Sequence, residues 1–194
     1  RQMCIRDRAA GCAAWLNQQS LWSRGDDQTF EDYLKGFNAN QRRNIKRERK
    51  AVAKAGIAVT PLSGDQLDLP LLQCMHRFYE QHCARWGPWG SKYLEEGFFE
   101  ALARLHRDQL VLFSAHRGDP SDPVAMSMCV QDGRQLWGRY WGSHEEIDCL
   151  HFEVCYYAPI EWALANGIVS FDPGAGGSHK RRRGFVARPH ASLH

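Results

Sequence analysis

Ionisable, aromatic and glycine residues are densest between Gly138 and Gly184, so this stretch is the first place to look for chemistry. Within it, Glu153 shares a predicted helical stripe with apolar and aromatic residues, namely Leu150, Tyr157, Ile160 and Leu164. A carboxylate on such a stripe must be paired, or desolvated with a raised pKa, and Glu153 is therefore a candidate for proton handling in catalysis. A structural glutamate bonded to Arg139 or to a tyrosine hydroxyl explains the pattern equally well.

Three further ionisable groups lie on the same predicted helix. Tyr156 is a second catalytic candidate because its hydroxyl can donate a proton to a leaving group, although a tyrosine on an aromatic-rich helix is more often a core residue with a satisfied hydroxyl. His151, in the first turn, fits a neutral packed imidazole better than a catalytic one. Glu161 lies near the end of the stripe, where a structural or exposed role is the simpler interpretation.

A glycine-rich turn with a basic run follows the helix and carries the anion-binding signal. Glycines let backbone donors approach a ligand, and the cationic side chains add charge. The predicted residues for binding the donor or cofactor are Gly174, Gly177, Lys180 and Arg183. The residues expected to line the same cleft, against the substrate, are Arg139, Tyr140, Trp141 and His179.

The overall composition is that of an ordinary globular protein. The chain has 194 residues, of which 43% are hydrophobic and 24% charged, with a formal net charge of +3. The basic runs are therefore local features on a nearly balanced background. The seven cysteines form no CxxC pair, which predicts reduced thiols and a cytoplasmic location. No apolar run approaches the roughly 20 residues that a membrane span requires.

Two helices are predicted upstream of the first strand. Thr29 and Asp32 form a possible capping box for a helix over 30–37. The next helix, over 41–55, contains six basic residues against one acidic residue, Glu48, between positions 42 and 50. The basic residues are Arg42, Arg43, Lys46, Arg47, Arg49 and Lys50. Such a run is either a solvated face or a surface for a polyanion, and the scarcity of acidic residues slightly favours the polyanion.

The order of elements after residue 40 is predicted to be α, β, α, α, β, β, β, α, β. Strands over 109–117, 124–131 and 135–141 form an antiparallel meander, with a hairpin turn signal at Asp132-Gly133. The helix over 150–166 contains Pro159, which removes a backbone donor and should kink or locally open it. These elements predict an α/β (α+β) fold with a mixed, mainly antiparallel sheet flanked by helices.

Four strings in this part of the chain resemble a known family: GRYWG (138–142), LHFEVCYY (150–157), FDPGAGG (171–177) and HKxxRGF (179–185). They are similar to predicted N-acyltransferases grouped with the Fem-type peptidoglycan aminoacyltransferases of the GNAT superfamily. The resemblance implies a GNAT-like fold and an enzyme that transfers an acyl or aminoacyl group to an amine. The chain departs from the family turn at Gly176 and Ser178, where a glutamine and an acidic residue are usual.

Fem-type proteins join two GNAT-like lobes, and the resemblance therefore also implies a domain division. Residues 1–8 are predicted to be a non-native, adaptor-derived tail, and 9–40 the remnant of a preceding lobe with its linker. Residues 41–194 are predicted to form the second GNAT-like lobe, shortened at its C-terminal end. A fragment of this kind would be inactive if half of the active cleft belonged to the missing lobe.

The acyl donor is predicted to be either an acyl-CoA or an aminoacyl-tRNA, with no tightly bound cofactor. The loop over 142–149 has one glycine and three acidic residues, which repel a pyrophosphate and argue against ordinary CoA binding. An aminoacyl-tRNA would suit the basic helix over 42–50 and the KRRR run at 180–183. The expected acceptor is an amine-bearing small molecule or a cell-wall precursor. The family resemblance implies a role in the synthesis of peptidoglycan or another cell-envelope precursor.

Two readings from other classes remain open. A nucleic-acid-binding module without catalysis would explain the basic runs but gives no purpose to the ionisable helix over 150–164. A metal hydrolase would need His144, His151 and His179, whose spacing matches no known ligand pattern. No metal is therefore predicted.

Overall fold

The structure is a computed structural model that describes residues 14–87, 90, 92–174 and 177–193. Within these residues, seven strands form one sheet. The strands are β1 (Ala14–Ser23), β2 (Ala58–Ser63), β3 (Leu110–His116), β4 (Pro123–Asp132), β5 (Gln135–Ser143), β6 (Ser170–Asp172) and β7 (Val186–Leu193). Their order across the sheet is β2-β3-β4-β5-β6-β1-β7, and only the β5–β6 pair is parallel. The predicted mixed, mainly antiparallel sheet and its β3–β4–β5 meander are confirmed.

Five helices flank the sheet in the described part of the chain. They are α1 (Phe30–Lys35), α2 (Ala39–Lys54), α3 (Leu69–Ala84), α4 (Glu96–Leu105) and α5, which joins the α-helical turn Leu150–Phe152, the π-helical turn Glu153–Tyr157 and the α-helix Ala158–Ala165. Short 3₁₀ helices lie at Gly64–Gln66, Arg107–Gln109 and Ser178–Arg183. The predicted capping box of α1 is present, because Thr29 Oγ1 accepts from the Asp32 amide at 3.2 Å and Asp32 Oδ2 accepts from the Thr29 amide at 3.0 Å. No helix among the described residues is long and apolar enough to cross a membrane.

Each face of the sheet carries its own apolar core. On one face, α1, α2 and α5 cover a core that includes Ile45, Phe113, Tyr157, Phe171 and Phe185. On the other face, α3 and α4 cover a core that includes Met75, Phe78, Phe99, Leu112 and Met126. Strand β3, second from one edge of the sheet, is buried along its whole length, as expected for a strand covered by helices on both faces.

Strands β1 and β7 were not expected from the sequence. Eight residue pairs join them in antiparallel register, from Ala14–Leu193 to Leu21–Val186, and Trp22 of β1 pairs with Phe171 of β6. Residues 14–35 thus share the sheet and core of the later residues, and the described chain has no structural break at residue 41. The assignment of 9–40 to a preceding lobe stays a prediction, and residues 1–8 lie outside the described residues.

Strands β5 and β6 run together for only three residue pairs before they part. Pairing is limited to Gln135–Trp137 against Ser170–Asp172, although Pro173 still lies close to Gly138, where a Cβ would be 3.2 Å from the Pro173 Cα. A β-bulge enlarges the opening, because Met128 of β4 pairs with Tyr140 and Cys129 pairs with Gly138, which leaves Arg139 as the extra residue. We call the resulting opening between residues 138–141 and residues 173–174 the wedge.

Helix α5 opens locally just before Pro159, as the sequence predicted. The amide of Ala158 bonds to the carbonyl of Glu153, one residue further back than in an α-helix. Continuing this π-helical pattern would require an amide at position 159 for the Val154 carbonyl, and proline has none. Ser127 of β4 supplies the missing donor, with its Oγ 2.7 Å from the Val154 carbonyl oxygen. The side chain of one strand thus ties the irregular turn to the sheet.

We predict that Gly142→Ala destabilises the fold while Gly97→Ala does not. A Cβ at Gly142 would lie 2.3 Å from the carbonyl oxygen of Phe78, so the strand and α3 would have to move apart, at about 1–3 kcal/mol. A Cβ at Gly97, in α4, meets nothing within 4 Å, and alanine there should raise helix stability by up to about 1 kcal/mol. Urea unfolding midpoints measure both effects, and equal midpoints for the two variants would contradict the close approach of β5 to α3.

Candidate functional site

The wedge brings together most of the residues that the sequence singled out. A small cavity of about 70 Å³ lies between β4, β5 and α5 at this point. Its lining includes Arg139, Trp141, His151, Tyr156 and the backbone at Gly138 and Pro173. The cavity itself holds only a few atoms, but it continues the opening between the two parted strands, where the ends of neighbouring strands commonly bind ligands.

Tyr156 reaches the wedge from the π-helical turn and is paired with His179. The hydroxyl of Tyr156 and Nε2 of His179 share a hydrogen bond at 2.8 Å, and Tyr156 is only 3% exposed. Burial raises the pKa of Tyr156 above its usual range, so the phenol stays protonated at neutral pH. Burial, together with the cations Arg183 and Lys180, lowers the pKa of His179. The pair is therefore a neutral phenol bonded to a neutral imidazole.

His151 contributes a second neutral imidazole to the wedge. Its ring centroid lies 4.6 Å from Trp141, 5.2 Å from Tyr156 and 5.8 Å from His179. Burial, aided by the neighbouring His179, lowers the pKa of His151 to about 4. The sequence indicated a packed neutral ring here but not its place in the site, because only the turn after β6 brings His179 against α5.

Lys180 is a buried cation on the wall of the wedge. Its Nζ donates to the Gly174 carbonyl oxygen at 2.6 Å, and the residue is 3% exposed. Burial lowers the pKa of Lys180, and the nearby Asp172 and Cys155 oppose that change. Cys155, with which the ammonium interacts electrostatically, lines the cavity, whereas Lys180 itself does not. Its predicted role in binding an anion stays a prediction.

The two described glycines of the turn have positive φ angles, and each permits a specific local contact. Gly174 has φ +90° and its amide bonds to Asp172 Oδ1 at 2.9 Å. Gly177 has φ +85°, and a Cβ there would lie 2.5 Å from Cε1 of His179. Gly177 is thus needed so that the imidazole can fold back toward Tyr156. The centre of the turn, 175–176, lies outside the described residues, and ligand contacts of the glycines stay predictions.

Arg183 does not face the turn as the sequence predicted. It is 4% exposed, and its Nη2 forms an ion pair with Glu48 Oε2 at 2.8 Å. Its Nη1 donates to the His179 carbonyl oxygen at 3.0 Å, and its guanidinium lies 3.4 Å above the ring of Phe152. These contacts occupy both amino nitrogens inside the protein, so Arg183 holds the site together and is not presented to a bound anion.

The three predicted strand residues separate to different sides of β5. Arg139 is exposed at the bulge and makes no hydrogen bond or ion pair with any described residue. Trp141 lies in the wedge against His151. Tyr140 is among the residues that line the cavity, as predicted, but its ring packs 5.0 Å from Tyr79 on the opposite face of the sheet. The alternation of side chains along a strand accounts for this separation.

Glu153 lies outside the wedge, in a different groove. Arg49 of α2 holds its carboxylate, with Nε 3.1 Å from both oxygens and Nη2 2.9 Å from Oε1. The same Nη2 is 2.7 Å from Glu161 Oε2. Burial raises the pKa of Glu153 and Arg49 opposes the rise. The prediction that Arg139 or a tyrosine hydroxyl binds Glu153 is wrong. Its partner is Arg49, because α2 packs against α5.

The groove around Glu153 has a volume of about 870 Å³ and lies between α1, α2, β2 and α5. Glu153 and Tyr156 therefore face separate openings, although they are three residues apart. Among the described residues, no group of three histidine, cysteine or acidic side chains could hold a metal ion. His144, the third member of the alternative histidine set, packs on Phe78 across the sheet from His151.

We predict that Glu153→Gln gains stability relative to the wild type as the pH rises. The folded state raises the pKa of Glu153, so it binds the proton more tightly than the unfolded state does. The wild type therefore loses stability between the ordinary glutamate pKa and the raised one, and the glutamine variant does not. Urea unfolding from about pH 4 to pH 8 measures the difference, with Glu161→Gln as the control for a lost Arg49 contact. A difference that is constant or falls with pH would contradict the assignment.

Solved structures with a similar fold have sequences very different from this chain. L-PGS from Bacillus licheniformis matches with a TM-score of 0.66 and 8% identity, over 98% of this chain and 64% of that one. The C-terminal domain of a protein assigned as a lysylphosphatidylglycerol synthetase from Agrobacterium fabrum matches with a TM-score of 0.61 and 9% identity, over 93% and 53%. A conserved protein of unknown function from Bacteroides thetaiotaomicron matches with a TM-score of 0.52 and 14% identity, over 98% and 67%.

These similarities confirm the predicted GNAT-like fold, and the chain spans between about half and two-thirds of the length of the first two solved structures. A comparison with curated proteins found no match. A family model described as peptidoglycan biosynthesis/recognition matches residues 3–194, which is nearly the whole sequence. The parted β5 and β6 strands, with the Tyr156–His179 pair at the opening, form the candidate site of this chain. The chain belongs to the FemAB-like family.

Proposed function

We propose that the protein transfers an acyl or aminoacyl group to an amine, in the synthesis of a cell-envelope component, and that the wedge is the site of transfer. The observation that carries this proposal is the hydrogen-bonded Tyr156–His179 pair beside the buried Lys180 at the point where β5 and β6 part. The family description and the printed names of the structural neighbours support the choice of reaction class. The whole protein's substrates are part of the proposal.

The reaction requires a neutral amine and a protonated leaving group. The amine nitrogen attacks the acyl carbon, forms the C–N bond and releases one proton. The bond from the acyl carbon to the donor oxygen or sulfur breaks, and the leaving group takes up a proton. A tetrahedral oxyanion forms between these two events and needs a donor or a cation nearby.

The residues of the wedge can meet these needs. Tyr156 keeps its proton at neutral pH and can donate it to the leaving group. His179 can accept the proton that the amine releases and pass a proton to the phenolate, which restores the neutral phenol and the neutral imidazole. Lys180 supplies a positive charge that stabilises an oxyanion. The cations Lys180 and Arg139 also disfavour an ammonium in the wedge, which lowers the pKa of a bound amine toward its nucleophilic form.

We predict that Tyr156→Phe lowers kcat by about 10²–10⁴-fold with little change in KM, because the variant keeps the ring and removes only the proton donor. Lys180→Met should lower kcat by about 10²–10³-fold through loss of oxyanion stabilisation. The measurement is transfer of a labelled aminoacyl group from charged tRNA, and of a labelled acyl group from CoA in parallel, to amines of cell-wall precursors.

The matched control for this test is Tyr93→Phe, which removes an equivalent hydroxyl from a side chain that is 82% exposed. Full activity in both Tyr156→Phe and Lys180→Met would contradict the site. An inactive wild type, given both donors, would instead support a chain that lacks half of its active cleft or one that only binds nucleic acid.

Aminoacyl-tRNA is the donor that the surface favours, and the outward face of α2 is the observation behind this choice. Arg43, Arg47, Lys50 and Lys54 recur every three or four residues, so they form one stripe, and all are exposed. The stripe lies opposite Ile45 and Val52, which α2 buries. None of the four forms an ion pair with a described residue, unlike Lys46 and Arg49. Uncompensated cations in a row suit a phosphate backbone.

The loop between β5 and α5 disfavours the competing donor. It carries Glu145, Glu146 and Asp148, and all three are exposed. Arg117 forms an ion pair with Glu145 at 2.7 Å, which leaves the other two carboxylates without an ion pair among the described residues. A CoA pyrophosphate placed at this loop would meet like charge.

We predict that a variant with Arg43, Arg47, Lys50 and Lys54 all changed to glutamine binds tRNA more weakly and with less dependence on salt. The slope of log K against log[salt] should fall by about 0.7–0.9 for each phosphate contact removed. The matched control changes four cations that are paired in the structure, Lys35, Lys46, Lys92 and Arg117, to glutamine. Equal salt slopes for the wild type and both variants would contradict the use of this face.

A further inference from the structure

Glu48 is the acidic exception in a basic run, and its carboxylate points into the protein. Glu48 Oε2 lies 2.8 Å from Arg183 Nη2 and also accepts a hydrogen bond from the hydroxyl of Tyr157. The side chains of Glu48 and Arg183 are 17% and 5% exposed. A buried guanidinium without a counter-charge is costly, so Glu48 sets where Arg183 can lie.

Arg183 in turn holds the backbone that carries His179. Its Nη1 donates to the His179 carbonyl oxygen at 3.0 Å, while its guanidinium carbon lies 3.4 Å from the centroid of the Phe152 ring. The hydroxyl of Tyr33 donates to the carbonyl oxygen of Arg183 at 3.0 Å and fixes the far end of the same 3₁₀ helix. The short helix that bears His179 is therefore held from α1, α2 and α5 together.

The imidazole of His179 has little freedom once its backbone is held. It packs 5.6 Å from the ring of Phe152 and 5.8 Å from His151, and a side chain at Gly177 would overlap it. Its position is therefore determined by the backbone, and its Nε2 comes within 2.8 Å of the Tyr156 hydroxyl. A shift of the 3₁₀ helix would therefore weaken or break this hydrogen bond.

We propose that Glu48 is a positioning residue, which acts through Arg183 and the His179 carbonyl to hold the imidazole of His179 on the hydroxyl of Tyr156. Glu48 itself does not touch the wedge, since its contacts are with Arg183 and Tyr157. The basic helix α2 then has two functions on two faces, because its outer stripe is free for a polyanion and its inner face orders the wedge. The catalytic significance of this chain of contacts rests on the function proposed above.

The test is ¹⁵N NMR of the histidine rings in the full chain, which reads the His179–Tyr156 hydrogen bond without any need for activity. In the wild type, one tautomer of His179 should predominate, because one ring nitrogen is hydrogen-bonded. In Glu48→Gln and in Arg183→Lys, the two nitrogens of His179 should move toward averaged shifts. Ile45→Val, which removes one core methylene group from the same helix, should leave the His179 signals unchanged and serves as the matched control.

A double variant separates positioning from stability. Glu48→Gln combined with Arg183→Met removes both buried charges and keeps an apolar side chain on Phe152, so the protein should fold even where the single variants do not. It lacks the contact to the His179 carbonyl, and its His179 signals should resemble those of the single variants. A wild-type tautomer preference in the folded double variant, or in either folded single variant, would overturn the proposal.

The same variants extend the test to turnover. If the wild type transfers an acyl group, misplacing His179 should lower kcat by up to about 100-fold and leave KM nearly unchanged, whereas Ile45→Val should keep the wild-type rate. If the wild type shows no transfer but its His179 signals respond as described, transfer by this chain alone is contradicted and the positioning by Glu48 stands. If transfer occurs and the variants keep the wild-type signals and rate, only the positioning role is contradicted.

Discussion

The parting of β5 and β6 is the constraint on which the candidate site depends. Parallel strands normally share a continuous ladder of hydrogen bonds, and ending that ladder after three residue pairs leaves backbone groups that need other partners. The bulge at Arg139 lies just beyond the last β5 residue of this ladder. The space so formed is wide enough to be lined by side chains from β5, α5 and the turn after β6.

Two further irregular elements lie beside this opening. The π-helical turn of α5 brings Tyr156 toward the wedge and Glu153 toward Arg49, and Ser127 supplies the donor that proline cannot. The 3₁₀ helix Ser178–Arg183 presents His179 to Tyr156 while it buries Arg183. Irregular backbone is costly, and these two departures from regular geometry each carry a residue of the candidate site.

Two buried ion pairs join the basic helix α2 to α5 and to the 3₁₀ helix. Glu153 with Arg49 and Glu48 with Arg183 place one acid and one base on each side, and charges that are this well buried need close partners. The two faces of the basic helix α2 therefore have different surroundings. Its outer residues meet solvent, and its inner residues Glu48 and Arg49 determine how α5 and the turn pack.

Much of the fold could be predicted from the sequence, because local patterns specify local structure. The capping box at Thr29, the β3–β4–β5 meander and the opening of α5 near Pro159 all follow from residue types at fixed spacing. Strands β1 and β7 could not be predicted in the same way. Their polar, weakly alternating sequences become strands only because residues more than 160 positions apart pair with each other.

The candidate site shows the same division. The sequence by itself determined that Tyr156, His179 and Lys180 belong to one stretch rich in ionisable groups, and the family resemblance indicated the reaction class. Only the tertiary structure decided that Tyr156 bonds to His179, that Tyr140 faces the other side of the sheet, and that Glu153 and Arg183 are held by Arg49 and Glu48. The physical reason is that the partner of a buried charge or hydroxyl is chosen by which helices pack together, and residue spacing along the chain does not contain that information.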